Sequence, residues 1–196
     1  MAKITNVELA LKAVRKDGSA LEDVPEKYKT AEVCLEAVKQ DGSALKFVPD
    51  SLKTAEMCLD AVKQNGWELE FVPESLMTEK ICLETVKNNG GALYFVPEKF
   101  KTAEICLIAV TYTGFMGRGN SLQYVPENLK TPELCFEAVK TDSYALQHVP
   151  ENLRTVDLCI QAVKNFGGCP PHIHPGRFVP EELKDEVERR LKEMSA

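Results

Sequence analysis

Thr30 to Lys53 reads TAEVCLEAVKQDGSALKFVPDSLK, and this stretch decides the fold. Thr30 is a good helix N-cap, because its hydroxyl accepts from a free backbone N–H of the first turn, and Glu32 sits where the helix dipole favours an anion. Val33, Cys34, Ala37 and Val38 recur at the spacing of one buried helical face, and Leu35 widens it. Gly42 reads as the left-handed residue that ends the helix. A second, shorter helical segment follows, with Ala44, Leu45, Phe47 and Val48 inward, and its length suits a partly 3-10 conformation. Pro49 offers no N–H, so it either opens a further turn or breaks the run. Leu52 adds one more apolar contact before Thr54.

The same text recurs along the chain. Val-Pro occurs at Val24, Val48, Val72, Val96, Val125, Val149 and Val179, in steps of 24, 24, 24, 29, 24 and 30. A cysteine ladder keeps the same period: Cys34, Cys58, Cys82, Cys106, Cys135 and Cys159, with Ala10 in the first copy. So does a cap ladder: Asn6, Thr30, Thr54, Thr78, Thr102, Thr131 and Thr155. The reading is an all-α solenoid of seven two-helix copies forming one domain over 1–196, with copies at about 6–29, 30–53, 54–77, 78–101, 102–130, 131–154 and 155–180. Helices this short are marginal in water by themselves, so the copies must stack and bury one another's apolar faces. Residues 181–196 form the cap: Pro180 opens a helix from Glu181 to about Met194, with Leu183, Val187, Leu191 and Met194 on one side and charges elsewhere.

The unit resembles a bacterial tandem-repeat family known only as a domain of unknown function, most closely in Thr30 to Lys53 and Thr54 to Met77. More loosely, it is similar to leucine-rich repeat variant proteins, which share a 24-residue period and alternate an α-helix with a 3-10 segment. The resemblance implies a stacked superhelix and carries over no catalytic residue.

Composition narrows the partners. Of 196 residues, 28% are charged and 44% apolar, with a formal net charge of −6. An acidic surface attracts neither nucleic-acid phosphates nor anionic lipid, so neither is expected as partner. Residues Met1 to Val14 lack the apolar core of a secretory signal, and no run approaches a membrane span. A soluble, cytoplasmic monomer is the expectation.

Six of the seven cysteines share one core position, flanked by apolar residues. Stacked helices stand roughly 8–10 Å apart, beyond the ~7 Å between Cα atoms that a disulfide tolerates. These thiols therefore read as small hydrophobes, in keeping with a reducing compartment. Cys169 lies off the ladder, in the spacing C-x-x-H-x-H with His172 and His174. Zinc or copper would accept that thiolate and imidazole set. A closed site needs a fourth ligand, however, and a Cys/His nucleophile needs an orienting group that is not evident.

The departures from the repeat carry the functional reading. The fifth copy holds TYTGFMGRGNSLQY where the second has KQDGSALKF, an insertion of five residues, and the seventh copy, with KNFGGCPPHIHPGRF, is six longer. Both insertions fall in the turn within a copy, on one edge of the stack, and the sixth copy has Ser143 and Tyr144 there. The acid/lysine pair seen at Glu36/Lys39 and Glu84/Lys87 becomes Ile108/Thr111, with Tyr112, Phe115 and Met116 beside it. Either this is an outward apolar patch of the kind that marks protein contacts, or the longer loop folds back over Ile108. Gly114, Gly117 and Gly119 around Arg118 read as an anion-cradling nest or as a tight turn. Trp67 reads as a binding anchor or as padding between copies.

The expectation is a non-catalytic scaffold that binds a protein or peptide through the loop edge of the last three copies. Its contact residues would be Ile108, Tyr112, Phe115, Met116, Arg118, Tyr144 and Phe166, and it needs no cofactor. The alternative is a small metal-binding or thiol-dependent module, with zinc at Cys169, His172 and His174.

Overall fold

A computed structural model describes residues 4–113, 121–165 and 175–194. They are helical throughout their regular structure, with no strand among the described residues. The chain forms two compact units, Met1–Val96 and Pro97–Ala196.

The N-terminal unit contains α1 (Val7–Lys16), α2 (Ala31–Gln40), α3 (Ala55–Gln64) and α4 (Glu79–Asn88), each packed on the next. A six-residue 3-10 helix follows each: Gly18–Asp23, Gly42–Phe47, Gly66–Phe71 and Gly90–Phe95. These form a second layer, stacked in the same order. A three-residue 3-10 turn then closes a copy, as at Asp50–Leu52, and Pro49 is its N-cap with φ −56°. The proline thus opens a new turn rather than merely breaking the run.

The C-terminal unit repeats the plan with α5 (Ala103–Thr111), α6 (Pro132–Thr141) and α7 (Val156–Lys164), packed in sequence. Here α8 (Lys184–Glu193) packs on α7. The expected helix from Glu181 is split, with Glu181–Leu183 forming a 3-10 turn before α8. Val187 is buried and Leu183 and Leu191 half-buried, whereas Met194 is exposed and leaves the expected stripe. Arg190 pairs with Asp157 at 2.8 Å, tying α8 to α7 by charge as well.

Local chemistry explains each element. The threonine ladder caps as expected: Thr30, Thr54, Thr78, Thr102, Thr131 and Thr155 each accept, through the hydroxyl, from the N–H three residues on. Helices α1, α2, α3, α4 and α6 then meet an Asp or Asn in extended backbone, as at Asp41 (φ −147°), whose Oδ1 accepts from the Ser43 N–H and starts the 3-10 helix.

Gly42 differs from the sequence expectation. Gly18, Gly42 and Gly66 are not left-handed; they begin their 3-10 helices where the next copy comes close, tightly at Gly42 and too closely for a side chain at Gly18 and Gly66. A Cβ on Gly18 would stand 2.5 Å from the Ala37 carbonyl oxygen, and one on Gly66 2.6 Å from that of Thr85. The sixth copy makes the same turn with Ser143, so the turn itself does not demand glycine.

The core is the ladder read from the sequence. Val33, Cys34, Ala37, Val38, Ala44 and Leu45 are fully buried, and so are their counterparts in most other copies. Leu35 and Phe47 are only half-buried, at the border of the apolar face. The cysteines from Cys34 to Cys159 are buried and free of disulfides. Burial pushes the thiols of Cys34, Cys106 and Cys135 up to about 11.

Two sets of hydrogen bonds clamp one copy to the next. In the first, the Gly42 N–H donates to Gln64 Oε1 (2.8 Å), and Gln64 Nε2 donates to the Val38 carbonyl (2.9 Å). Asn88 does the same for Gly66 and Lys63, at 2.7 and 2.8 Å. In the second, an almost buried lysine ends the copy. Lys53, its side chain 7% exposed, pairs with Asp50 and donates to the Phe71 carbonyl at 2.8 Å. Lys29 reaches Phe47 O and Lys130 reaches His148 O in the same way, while Arg154 spans to Phe178 O.

Candidate binding face

Only part of the expected loop edge falls on described residues. Ile108, Tyr112 and Tyr144 are half-buried. Phe115, Met116, Arg118, Phe166, the glycines around Arg118, and the Cys169, His172 and His174 set all lie outside the described residues. Among the described residues there is no group of three or more His, Cys, Asp or Glu side chains that could hold a metal ion. Trp67 pads the stack: its ring meets Phe95 edge-on at 5.9 Å and lies against Gly91.

Among the described residues, Leu9, Tyr94, Leu107, Phe136 and Met194 are the large apolar side chains that stand exposed, and Leu107 and Phe136 fall on neighbouring α-helices of the C-terminal unit. Leu107 on α5 is 43% exposed and Phe136 on α6 is 39% exposed. Both directly follow a ladder cysteine, the position that Leu35 holds in the second copy and Ile160 in the seventh. A residue one step from the buried cysteine is turned about 100° away from it, so it sits on the border of the core face. Neighbouring geometry then decides its exposure. Ile160 is only 6% exposed, whereas Phe136 reaches solvent.

Beside Phe136 runs an open groove of about 390 Å³, lined by Pro132, Glu133, Phe136, Glu137, Leu153, Thr155 and Leu158. Leucine and proline side chains supply apolar walls, and Glu133 and Glu137 supply negative charge. Glu137 also pairs with Lys140 at 3.0 Å, as Glu84 pairs with Lys87. Glu36 departs from that expected pairing: Arg15 of the preceding copy holds it at 2.9 Å. On α5, where Ile108 and Thr111 replace the pair, the Thr111 hydroxyl donates back to the Leu107 carbonyl at 2.8 Å, leaving no charge in that turn.

His148 occupies the place of Phe47 and Phe71. Its Nε2 is buried with no hydrogen-bond partner among the described residues. Burial and the neighbouring Lys130 ammonium both push its pKa down, and Asp142 opposes them. The environment therefore favours the neutral imidazole.

These features define a class: all-α proteins built from tandem repeats that pair an α-helix with 3-10 helices. The family model described as Domain of unknown function (DUF4116) matches residues 6–53, 30–77, 54–101, 78–130 and 104–154. The chain belongs to that family, and the first four matches each take in two successive copies. No curated protein and no solved structure matches it.

Proposed function

We propose that the chain is a non-catalytic scaffold that captures a protein or peptide segment on the helical face of its C-terminal unit. One observation carries this reading: Leu107 and Phe136 stand exposed on neighbouring helices, with the groove beside Phe136. Large apolar side chains exposed to water are unfavourably hydrated, and a partner that covers them lowers the free energy. Glu133 and Glu137 select the occupant, a segment that presents an apolar side chain flanked by lysine or arginine. Buried free thiols suit a reducing compartment such as the cytoplasm. No helix among the described residues is long and apolar enough to cross a membrane.

The test is titration of the purified chain with a synthetic peptide carrying one phenylalanine between lysines, and with its glutamate counterpart, followed by amide chemical shifts. The lysine peptide should perturb α5, α6 and α7, and Phe136→Ser with Leu107→Ser should abolish the effect without loss of helicity. Equal binding of both peptides, or binding that survives the double variant, overturns the proposal.

A further inference from the structure

Within the N-terminal unit the junction of the third copy, residues 54–77, with the fourth departs from the other junctions in three independent respects. The first is the lysine clamp. Lys29 and Lys53 end the first two copies and donate to the carbonyls of Phe47 and Phe71 in the copy that follows. Met77 stands at that position in the third copy, and a thioether has no proton to donate.

The second is a buried carboxylate. Glu68 occupies the position of Ala44 and Ala92 on the inner side of a 3-10 helix and is 5% exposed. Its Oε1 accepts from Asn65 Nδ2 at 2.9 Å, but its Oε2 is buried with no hydrogen-bond partner among the described residues. The third is Thr85 on α4, which replaces the alanines at 37 and 61. It is fully buried, and its hydroxyl likewise lacks a partner among the described residues. Helix α4 packs on the 3-10 helix that carries Glu68.

We propose that the third copy is a pH-sensitive weak link in the N-terminal stack, tightened when Glu68 is protonated and loosened when it is ionised. An ionised carboxylate with one unsatisfied oxygen is costly in a buried site, while the neutral acid carries no such charge. The charges that act on it are Lys46 and Asp41 from the second copy and Glu70 on its own 3-10 helix. Helices α3 and α4 and the 3-10 helix Gly90–Phe95 also pack there. Their acids and lysines, and Tyr94, hold half-buried or exposed positions, and their buried ionisable groups are Cys58 and Cys82. Desolvation outweighs the Asn65 hydrogen bond and the Lys46 attraction and pushes the Glu68 pKa up. With the folded pKa above the unfolded one, stability is greatest below the unfolded value and is lost as pH rises through the folded value. The amide clamp from Gly66 to Asn88 remains, so the loosened copy keeps its register.

Amide hydrogen exchange of the full chain tests this, with rates corrected for the intrinsic effect of pH. Near pH 7.5, residues 54–77 should exchange about ten times faster than 30–53. Near pH 5 that gap should shrink severalfold. Glu68→Gln, which keeps the Asn65 bond, should remove the pH dependence of the gap, and Met77→Lys should narrow it at both pH values. Equal protection of the two copies near pH 7.5, or a pH-dependent gap that survives Glu68→Gln, overturns the proposal.

Discussion

The Gly42 N–H and the Gln64 side-chain oxygen meet at 2.8 Å across the boundary between two copies, 22 residues apart in sequence. Gln64 uses both ends of its amide, since Nε2 also donates to the Val38 carbonyl. One side chain thereby satisfies two backbone groups of the preceding copy that the helix ladder leaves over. Gln64→Leu has similar bulk and neither polar end. It should destabilise the protein by about 1–3 kcal/mol, the cost of leaving part-buried backbone groups unpaired. Urea unfolding checks this, and a loss indistinguishable from zero would show that water replaces the clamp without penalty.

At Gly18 and Gly66 the head of the 3-10 helix has no room for a side chain. Gly66→Ala places a Cβ 2.6 Å from the Thr85 carbonyl oxygen, which the backbone of α4 must yield to accommodate. Overpacking of this kind costs about 1–3 kcal/mol. The discriminating variant is Gly66→Asn. A left-handed site would accept asparagine better than alanine, whereas a crowded site should be harmed more by it, and thermal melts of the two variants rank them.

The thiol ladder predicts behaviour at high pH. Cys34, Cys106 and Cys135 are held up to about 11 by burial, against an ordinary value of 9.0. A folded pKa above the unfolded one gives stability that is complete below the ordinary value of 9.0 and drains away as pH rises towards about 11. In native protein these cysteines should resist a disulfide reagent near pH 8 and react once urea unfolds the chain. Rapid labelling of any of the three in folded protein contradicts their placement.

His148 predicts the opposite slope on the acid side. Its folded pKa is lowered, so its contribution to stability is complete above the ordinary imidazole value of about 6.5 and falls away as the pH drops below it. His148→Phe restores the residue type used at Phe47 and Phe71. It should flatten the stability of the C-terminal unit between about pH 6.5 and pH 5, as read by hydrogen exchange in α6 and α7. An unchanged slope would assign the acid sensitivity to other groups.

Each threonine cap is a separable contribution. Thr131→Ala removes the acceptor for the Leu134 N–H (3.2 Å) and should cost about 1 kcal/mol, with Thr131→Ser recovering most of it. Chemical denaturation of the three proteins gives the comparison.

Much of this architecture was legible in the residues. Thr30, Cys34 and Val48 recur at one period, and the structure gives them the cap, the core and the end of the 3-10 helix, because each role depends on neighbours a few positions away. The candidate face was less legible. Ile108 and Tyr112 stood out as breaks in the repeat and are half-buried, while Phe136 looked like any other copy's border residue and is exposed. Exposure at a border position depends on what the neighbouring copies place against it, and those residues lie far from Phe136 in sequence.

By itself, then, the sequence determined the period, the helical class, the caps and the buried ladder, since these follow from side-chain spacing and from hydrogen bonds that close within a single turn. Only the tertiary structure decided why glycine begins the 3-10 helix, what Gln64 and Lys53 hold, and which apolar residues reach water. Those outcomes depend on atoms from the next copy, some twenty residues away, and stacking alone brings them into contact.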